Sequence, residues 1–338
     1  MTRKTFRKVI TSDECIEKIH KKNKEFITKF LKDKNMRSSD LTISNYQSDL
    51  NIFFCWNVEY NENKIFTDVK KLEISDFFIF CTEELRWGSA RINRMRSCLS
   101  SFSVFLERFY DEDYPNFKNR ILVAVETMPK NEVREKTILS EEQIDSLFTY
   151  LKENNMKQEA CWLALAIASG ARLSELFRFD IDILDENHTA FNGLFMETLK
   201  TIKTKGRTKN GKMIYKYIIR DIFLPYYKDW LEERENILSK HNVDDHLSLF
   251  IQLDGKPATI PVIRNWITKF EKVLGVDLYP HCFRHYATTY LVKAGLSTTL
   301  IKELYGWSDE KMVSIYTDMD AKDRKWDDLD NLKNKLNS

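Results

Sequence analysis

A mainly α-helical chain in two parts, with a small β-hairpin in the second, is the fold class that the sequence predicts. Three observations predict it. Glycine and proline number only 9 and 6 in 338 residues, too few for a turn-rich β architecture. Apolar residues recur three and four apart over most of the chain, and a single stretch, 188–224, departs from that spacing toward β-prone runs around an Asn-Gly pair. The length exceeds what one compact core usually holds, so two domains are expected.

The first helical stretch covers 14–34, where Ile16, Ile19, Phe26, Ile27, Phe30 and Leu31 fall on one face. A second helix starts after Ser38, Ser39 and Asp40, whose oxygens can cap it, and carries Tyr46, Leu50, Phe53 and Phe54. Asn61, Glu62 and Asn63 form a loop. A third helix follows Ser75 and Asp76 with Phe77, Phe78, Phe80 and Cys81. A fourth follows Ser89 and runs through Ile92, Met95, Leu99, Phe102 and Phe105 to Phe109. After a break at 110–116 and a short helical stretch, Met128, Pro129, Lys130, Asn131 and Glu132 read as a polar linker. Ser140 with Gln143 three residues later marks the start of the next helix. These boundaries give a helical domain at 14–117, a linker at 118–135, a larger α+β domain at 136–325 and a terminal helix at 326–338.

The β signal lies where positive charge concentrates. A run at 198–205 and a return at 213–219 flank Asn210-Gly211, and the basic residues Lys200, Lys203, Lys205, Arg207, Lys209, Lys212 and Lys216 meet no acidic residue there. A hairpin of purely structural purpose would mix signs, so this ribbon is read as a phosphate-contacting surface. The formal net charge of +2 decides nothing about nucleic acid, because binding depends on where charge sits. Six scattered cysteines lack the close spacing of zinc or redox motifs and read as buried, reduced thiols of a cytoplasmic protein. The basic start, Met1 through Lys8, lacks a signal peptide's apolar stretch, and the apolar run 161–168 is too short to span a bilayer, so no membrane association is expected.

Four ordered clusters carry the chemistry. The first is Ser169-Gly170-Ala171-Arg172-Leu173-Ser174-Glu175-Leu176, which places an arginine at a helix start beside free N–H groups. The second is the lysine-rich hairpin. The third is His281-Cys282-Phe283-Arg284-His285, with His281 and Arg284 on one helix face. The fourth is Leu304-Tyr305-Gly306-Trp307, followed by Ser314-Ile315-Tyr316-Thr317. Each alone is ordinary: surface arginines form ion pairs, His-x-x-Arg is common, and a helical tyrosine is usually packing.

Together the clusters resemble the tyrosine recombinases of the phage integrase family. That family has an arginine in a TGLR-x-SEL-like segment, a hairpin lysine, an H-x-x-RH box and an LGH box with the nucleophilic tyrosine nine residues after its final position. Arg172, His281, Arg284 and Tyr316 fall on these motifs, Tyr316 following Trp307 by nine. The resemblance covers roughly 136–325, and the N-terminal helices are similar to the family's core-binding (SAM-like) domain. Ser169 stands where threonine is usual. Trp307 replaces the common histidine; its indole N–H can donate to phosphate but cannot shuttle a proton. The hairpin lysine is open between Lys205, the first choice by pattern, and Lys203 on the same strand face.

The resemblance implies a site-specific recombinase that cuts and rejoins DNA through a 3′-phosphotyrosyl intermediate without metal, ATP or other cofactor. Two arginines, Arg172 and Arg284, stabilise charge growing on the phosphate oxygens. Tyr316 attacks; a phenol of ordinary pKa near ~10 needs positive surroundings or a base, and His281 accepts the proton or positions the phosphate. Lys205 protonates the departing 5′ oxygen, Trp307 orients the phosphate, and Glu175 holds Arg172 or forms a simple helix ion pair. DNA backbone contacts are expected from Lys200, Arg207, Lys209, Lys212, Arg91, Arg94 and Arg96. Implied partners are double-stranded DNA, further copies of the chain (a dimer on each site, a tetramer at synapsis), and an excisionase or other accessory factor. The tail, with Leu329, Leu332 and Leu336 at helical spacing, docks on a neighbouring protomer or on its own domain. Little chain precedes Glu14, which points to a core-site or transposon-type enzyme without a separate arm-binding domain. The alternatives are a type IB topoisomerase-like enzyme and a non-catalytic DNA-binding protein on an integrase scaffold.

Overall fold

The computed structural model describes residues 10–129, 137–204, 206 and 211–307. These form two compact units, the hairpin tip aside: one over 10–129 and one over 137–204 and 211–307. Each has its own hydrophobic core, and no residue belongs to both.

The first unit is helical: α1 (Asp13–Lys18), α2 (Lys21–Asn35), α3 (Asp40–Tyr60), a 3₁₀ turn at Phe66–Asp68, α4 (Lys71–Glu83), α5 (Ser89–Phe109) and α6 (Ile121–Ala124). The single helix expected over 14–34 is two. The loop after α3 explains the break: Asn63 accepts from His20 N–H at 3.0 Å and donates to the Lys18 carbonyl at 2.8 Å. The turn's polar groups are therefore satisfied without helix geometry. Ser39 caps α3 through Thr42 N–H, as expected. The third helix starts at Lys71, a turn earlier than Ser75 and Asp76 suggested. Glu73 accepts from Lys70 N–H at 2.9 Å and pairs with Lys64, and the earlier start buries Ile74. The core is aromatic. Phe53 meets Phe54, Phe66 and Phe77 edge to face, and Phe102 meets Phe30, Phe54 and Phe66. Part of the stretch read as linker packs on this unit. Ile121 is buried, and the Asn93 amide bonds both main-chain groups of Met128 at 2.9 Å each.

The second unit is built around α8 (Lys157–Ser169), buried from Ala160 onward and packed against α7 (Glu141–Glu153), α10 (Arg220–His241) and α12 (Pro280–Lys293). The Ser140–Gln143 pair caps α7 reciprocally at 3.2 and 2.9 Å. A four-residue helix, α9 (Leu173–Leu176), a 3₁₀ turn at Ile181–Ile183, α11 (Ile260–Leu274) and α13 (Thr298–Tyr305) complete the helical part.

The β region differs from the single hairpin expected. Strands β1 (Thr189–Ala190), β2 (Phe195–Glu197) and β5 (Tyr217–Ile219) form one antiparallel sheet in the order β1-β2-β5. Strands β3 (Ile202–Thr204) and β4 (Lys212–Ile214) form another. The returning run therefore splits. Ile214 faces Ile202 in the hairpin, while Ile218 pairs with Met196 in the three-stranded sheet. Burial explains the crossing: Ile218 and Ile219 enter the core, whereas Met213 and Tyr215 stay exposed. Gly211 closes the hairpin with φ of +71°, and a side chain there would strike the Thr204 carbonyl. All six cysteines are buried and free. Among the described residues, no helix is long and apolar enough to cross a membrane.

Candidate active site

The site begins where α8 ends. Ser169 donates to the Leu165 carbonyl at 2.6 Å and accepts from Ala171 N–H at 3.3 Å, which turns the chain at its C-terminus. Gly170 takes the left-handed conformation, and the Tyr305 ring occupies the space where a Cβ would lie. The turn delivers Arg172 to the first position before α9. Its N–H donates to Glu175 Oε2 at 3.1 Å and its Nη1 to Oε1 at 2.8 Å. Glu175 is fully buried. The Glu175 role expected from sequence, as a holder of Arg172 or an ordinary ion pair, takes a fuller form: its Oε2 also accepts from Lys216 Nζ at 2.7 Å.

Lys216 corrects the sequence reading most plainly. The charge pattern places it among the phosphate-contacting lysines, yet its side chain is fully buried and points inward. The signal was present in the alternation: Lys216 shares a strand face with Ile218, which enters the core. Burial holds the Lys216 ammonium below its ordinary pKa, and the Arg284 and Arg172 charges add to that, against the pull of Glu175. For Glu175 burial pushes the other way, but Lys216 and Arg172 outweigh it and the carboxyl stays below its usual value.

On α12, Arg284 is buried and donates to the Gly170 carbonyl. Its guanidinium carbon lies 4.6 Å from the Trp307 ring centroid and 5.4 Å from that of Tyr305. Trp307 is itself buried, just beyond the end of α13. One turn before Arg284, His281 keeps an exposed face. Partial desolvation, then the charges of Arg284 and Arg172, hold its imidazole below the usual histidine pKa, so the neutral form is favoured. Arg172, Arg284, His281, Glu175 and Trp307 are thus brought together from the α8–α9 turn, α12 and the end of α13. Tyr305 and Lys216 join them, and sequence reasoning singled out neither for the site.

The hairpin meets this centre at Gly306, which caps α13 with φ of +63° and lies against Ile214 of β4. Lys203 is exposed on β3, and its carbonyl accepts from Arg178 at 2.7 Å. Lys212 is exposed on β4, and Lys200 pairs with Asp182 at 2.6 Å. Lys205, Arg207, Lys209 and Tyr316 lie outside the described residues. On α5 the three arginines have internal partners. Arg91 and Arg94 both pair with buried Asp49, and Arg96 donates to the Val125 carbonyl at 2.6 Å. A cavity of about 800 Å³, lined in part by Met156, Trp230, Ile251 and Trp266, includes none of the site residues.

The sequence profile described as the phage integrase family matches residues 137–323. A SPbeta prophage-derived recombinase-like protein, YomM of Bacillus subtilis, is 26% identical over 289 residues, 82% of this chain and 80% of that protein. Tyrosine recombinase XerC of Anoxybacillus flavithermus is 25% identical over 292 residues, 82% of this chain and 87% of its own. Among solved structures, the XerH recombinase bound to difH substrate before cleavage superposes with a TM-score of 0.62 at 17% identity, covering 94% of this chain and 88% of that one. The Tn1549 transposon integrase in complex with circular intermediate DNA gives 0.62 at 16% identity, covering 87% and 94%. The profile spans more than half of the 338 residues, and the chain belongs to the phage integrase family of tyrosine recombinases. It is an enzyme of DNA strand breakage and rejoining.

Proposed function

We propose that this recombinase cuts DNA at a specific site by attack of the Tyr316 oxygen on a backbone phosphorus. The new bond is a 3′-phosphotyrosyl linkage, and the bond to the 5′ oxygen breaks. The tyrosine's proton passes to His281 or to solvent, and the departing 5′ oxygen takes a proton from Lys205, with Lys203 as second choice. The phosphodiester energy stays in the phosphotyrosyl bond, so a 5′ hydroxyl can reverse the step on the same or a second duplex without ATP or metal. Arg172 and Arg284 neutralise the charge that grows on the non-bridging oxygens. Trp307 packs against Arg284 and offers its indole edge to the phosphate. The observation that carries the reading is the convergence of both arginines at the Gly170–Arg172 turn, with a neutral-leaning imidazole one helical turn before Arg284.

Duplex DNA is the partner, held along its backbone by Lys200, Lys203 and Lys212 and by Arg207 and Lys209. On the first unit Arg94, with 45% of its side chain exposed, has the most open face of the three α5 arginines. We assign the protein to a mobile-element setting in the bacterial cytoplasm, acting as a dimer on each site and a tetramer across two, with an accessory factor setting direction. The test uses nicked duplexes drawn from sequence flanking the gene, incubated in EDTA with wild type and Tyr316→Phe and run on denaturing gels. A retarded covalent adduct with wild type alone is the expected result. DNA binding by both proteins without any adduct would overturn the catalytic reading.

A further inference from the structure

Lys216 lies on the two-residue link between β4 and β5, where the chain leaves one sheet for the other. Thr198 fixes both of its main-chain groups: Thr198 N–H donates to the Lys216 carbonyl, and Lys216 N–H donates to Thr198 Oγ1, each at 3.0 Å. The side chain has no exposed surface, and its ammonium ends on Glu175 Oε2, the oxygen that also accepts the Arg172 N–H. One buried carboxylate therefore serves two cations, Arg172 from its own helix start and Lys216 from 41 residues further along the chain.

A contact to DNA would need an exposed lysine, and a stabilising core would be better served by an apolar side chain of similar volume. Neither describes Lys216. A carboxylate paired with Arg172 alone would cancel most of the charge that guanidinium offers to a phosphate. Shared with a second cation in surroundings of low dielectric, the same carboxylate can hold Arg172 in place while the cluster keeps a positive excess. Arg284, whose guanidinium donates to the Gly170 carbonyl, adds a third positive charge that bears on Lys216.

We infer that Lys216 is a positioning residue of the recombinase site: by sharing Glu175 it keeps Arg172 oriented and positively charged toward the scissile phosphate, and it ties the base of the lysine hairpin to the same carboxylate. The inference rests on the strand-transfer reading above.

The test compares wild type, Lys216→Met, Lys216→Arg, Glu175→Gln and the double variant E175Q/K216M on one nicked duplex, measuring DNA affinity and single-turnover adduct rate separately. Lys216→Met slows adduct formation on the order of 10- to 100-fold while the Kd for DNA moves less than about threefold. Lys216→Arg recovers most of the rate because it keeps the charge. The double variant loses no more than the slower single variant, since the two side chains act as one unit. A role in volume alone predicts the opposite order, with methionine tolerated and arginine not. If Lys216→Met does not fold, the double variant against Glu175→Gln decides: equal rates support the inference, and a further loss in proportion overturns it. A Lys216→Met rate within twofold of wild type overturns the inference alone. A wild-type chain that forms no adduct overturns the strand-transfer reading, and this inference with it.

Discussion

At Glu175 a single carboxylate, without solvent contact, accepts from the Arg172 backbone, the Arg172 guanidinium and the Lys216 ammonium. Removing its charge strands the buried Lys216 ammonium and leaves the part-exposed Arg172 guanidinium without its carboxylate. Glu175→Gln is expected to cost about 3–5 kcal/mol in urea unfolding, far more than a surface pair would. The pH dependence follows in sign. Glu175 sits below its ordinary value of 4.5, so its contribution is complete above that pH and is lost as pH falls through the lower folded value. His281 supplies the second prediction at this scale. Its folded pKa lies below the ordinary 6.5, so with limiting DNA the acidic limb of the adduct-rate profile should fall below pH 6.5. A limb at or above 6.5 that disappears in His281→Gln would contradict the desolvated neutral imidazole. Arg172, His281 and Arg284 could be read from the chain because each sits inside a short pattern whose spacing is local. Lys216 could not, because seven basic residues crowd one hairpin and only the strand's inward face separates it from the rest.

Between elements, one contact that seats the hairpin is the approach of β4 to the end of α13. Gly306 has a left-handed backbone, and a Cβ there would collide with the Ile214 Cδ1. Gly306→Ala should cost about 1–3 kcal/mol from backbone strain and crowding together. Adding Ile214→Val, which removes the colliding methyl, should return the steric share only, read as a partial recovery of Tm. No recovery would mean that the hairpin does not lie against α13 in solution. A similar lesson holds at the α1–α2 break. The apolar spacing ran through Ile19 without interruption, so sequence predicted one helix. Asn63, brought in from 43 residues away, bonds the His20 N–H and the Lys18 carbonyl and so helps to hold the turn. The start of α4 was missed for a related reason, since Glu73 caps Lys70 while also pairing with Lys64 from beyond the helix. The starts of α3 and α7 were legible because Ser39 and Ser140 cap residues only three positions away.

For the whole molecule, two cores with no shared residue predict separable responses to core damage. Phe102→Ala empties the centre of the first core and should cost about 3–5 kcal/mol there. Calorimetry should show one transition moved down and the other unmoved; a common shift of all the heat absorption would show that the units unfold as one. DNA affinity should fall with salt, and Lys212→Ala should lower the logarithmic slope by about one, as loss of one phosphate contact does. Arg96→Ala should act first on stability, because its side chain serves the Val125 carbonyl. By itself the sequence determined the helical class and the order of the four motif clusters, since propensity, capping and i, i+3 spacing act over a few residues. Tertiary structure alone decided that the returning strand divides between two sheets, that Asp49 engages two of the α5 arginines, and that Lys216 turns inward to share Glu175 with Arg172. Those outcomes depend on which buried charge finds a partner at hydrogen-bond distance, and partners 41 to 45 residues apart are joined by the packing of the core and not by any local pattern.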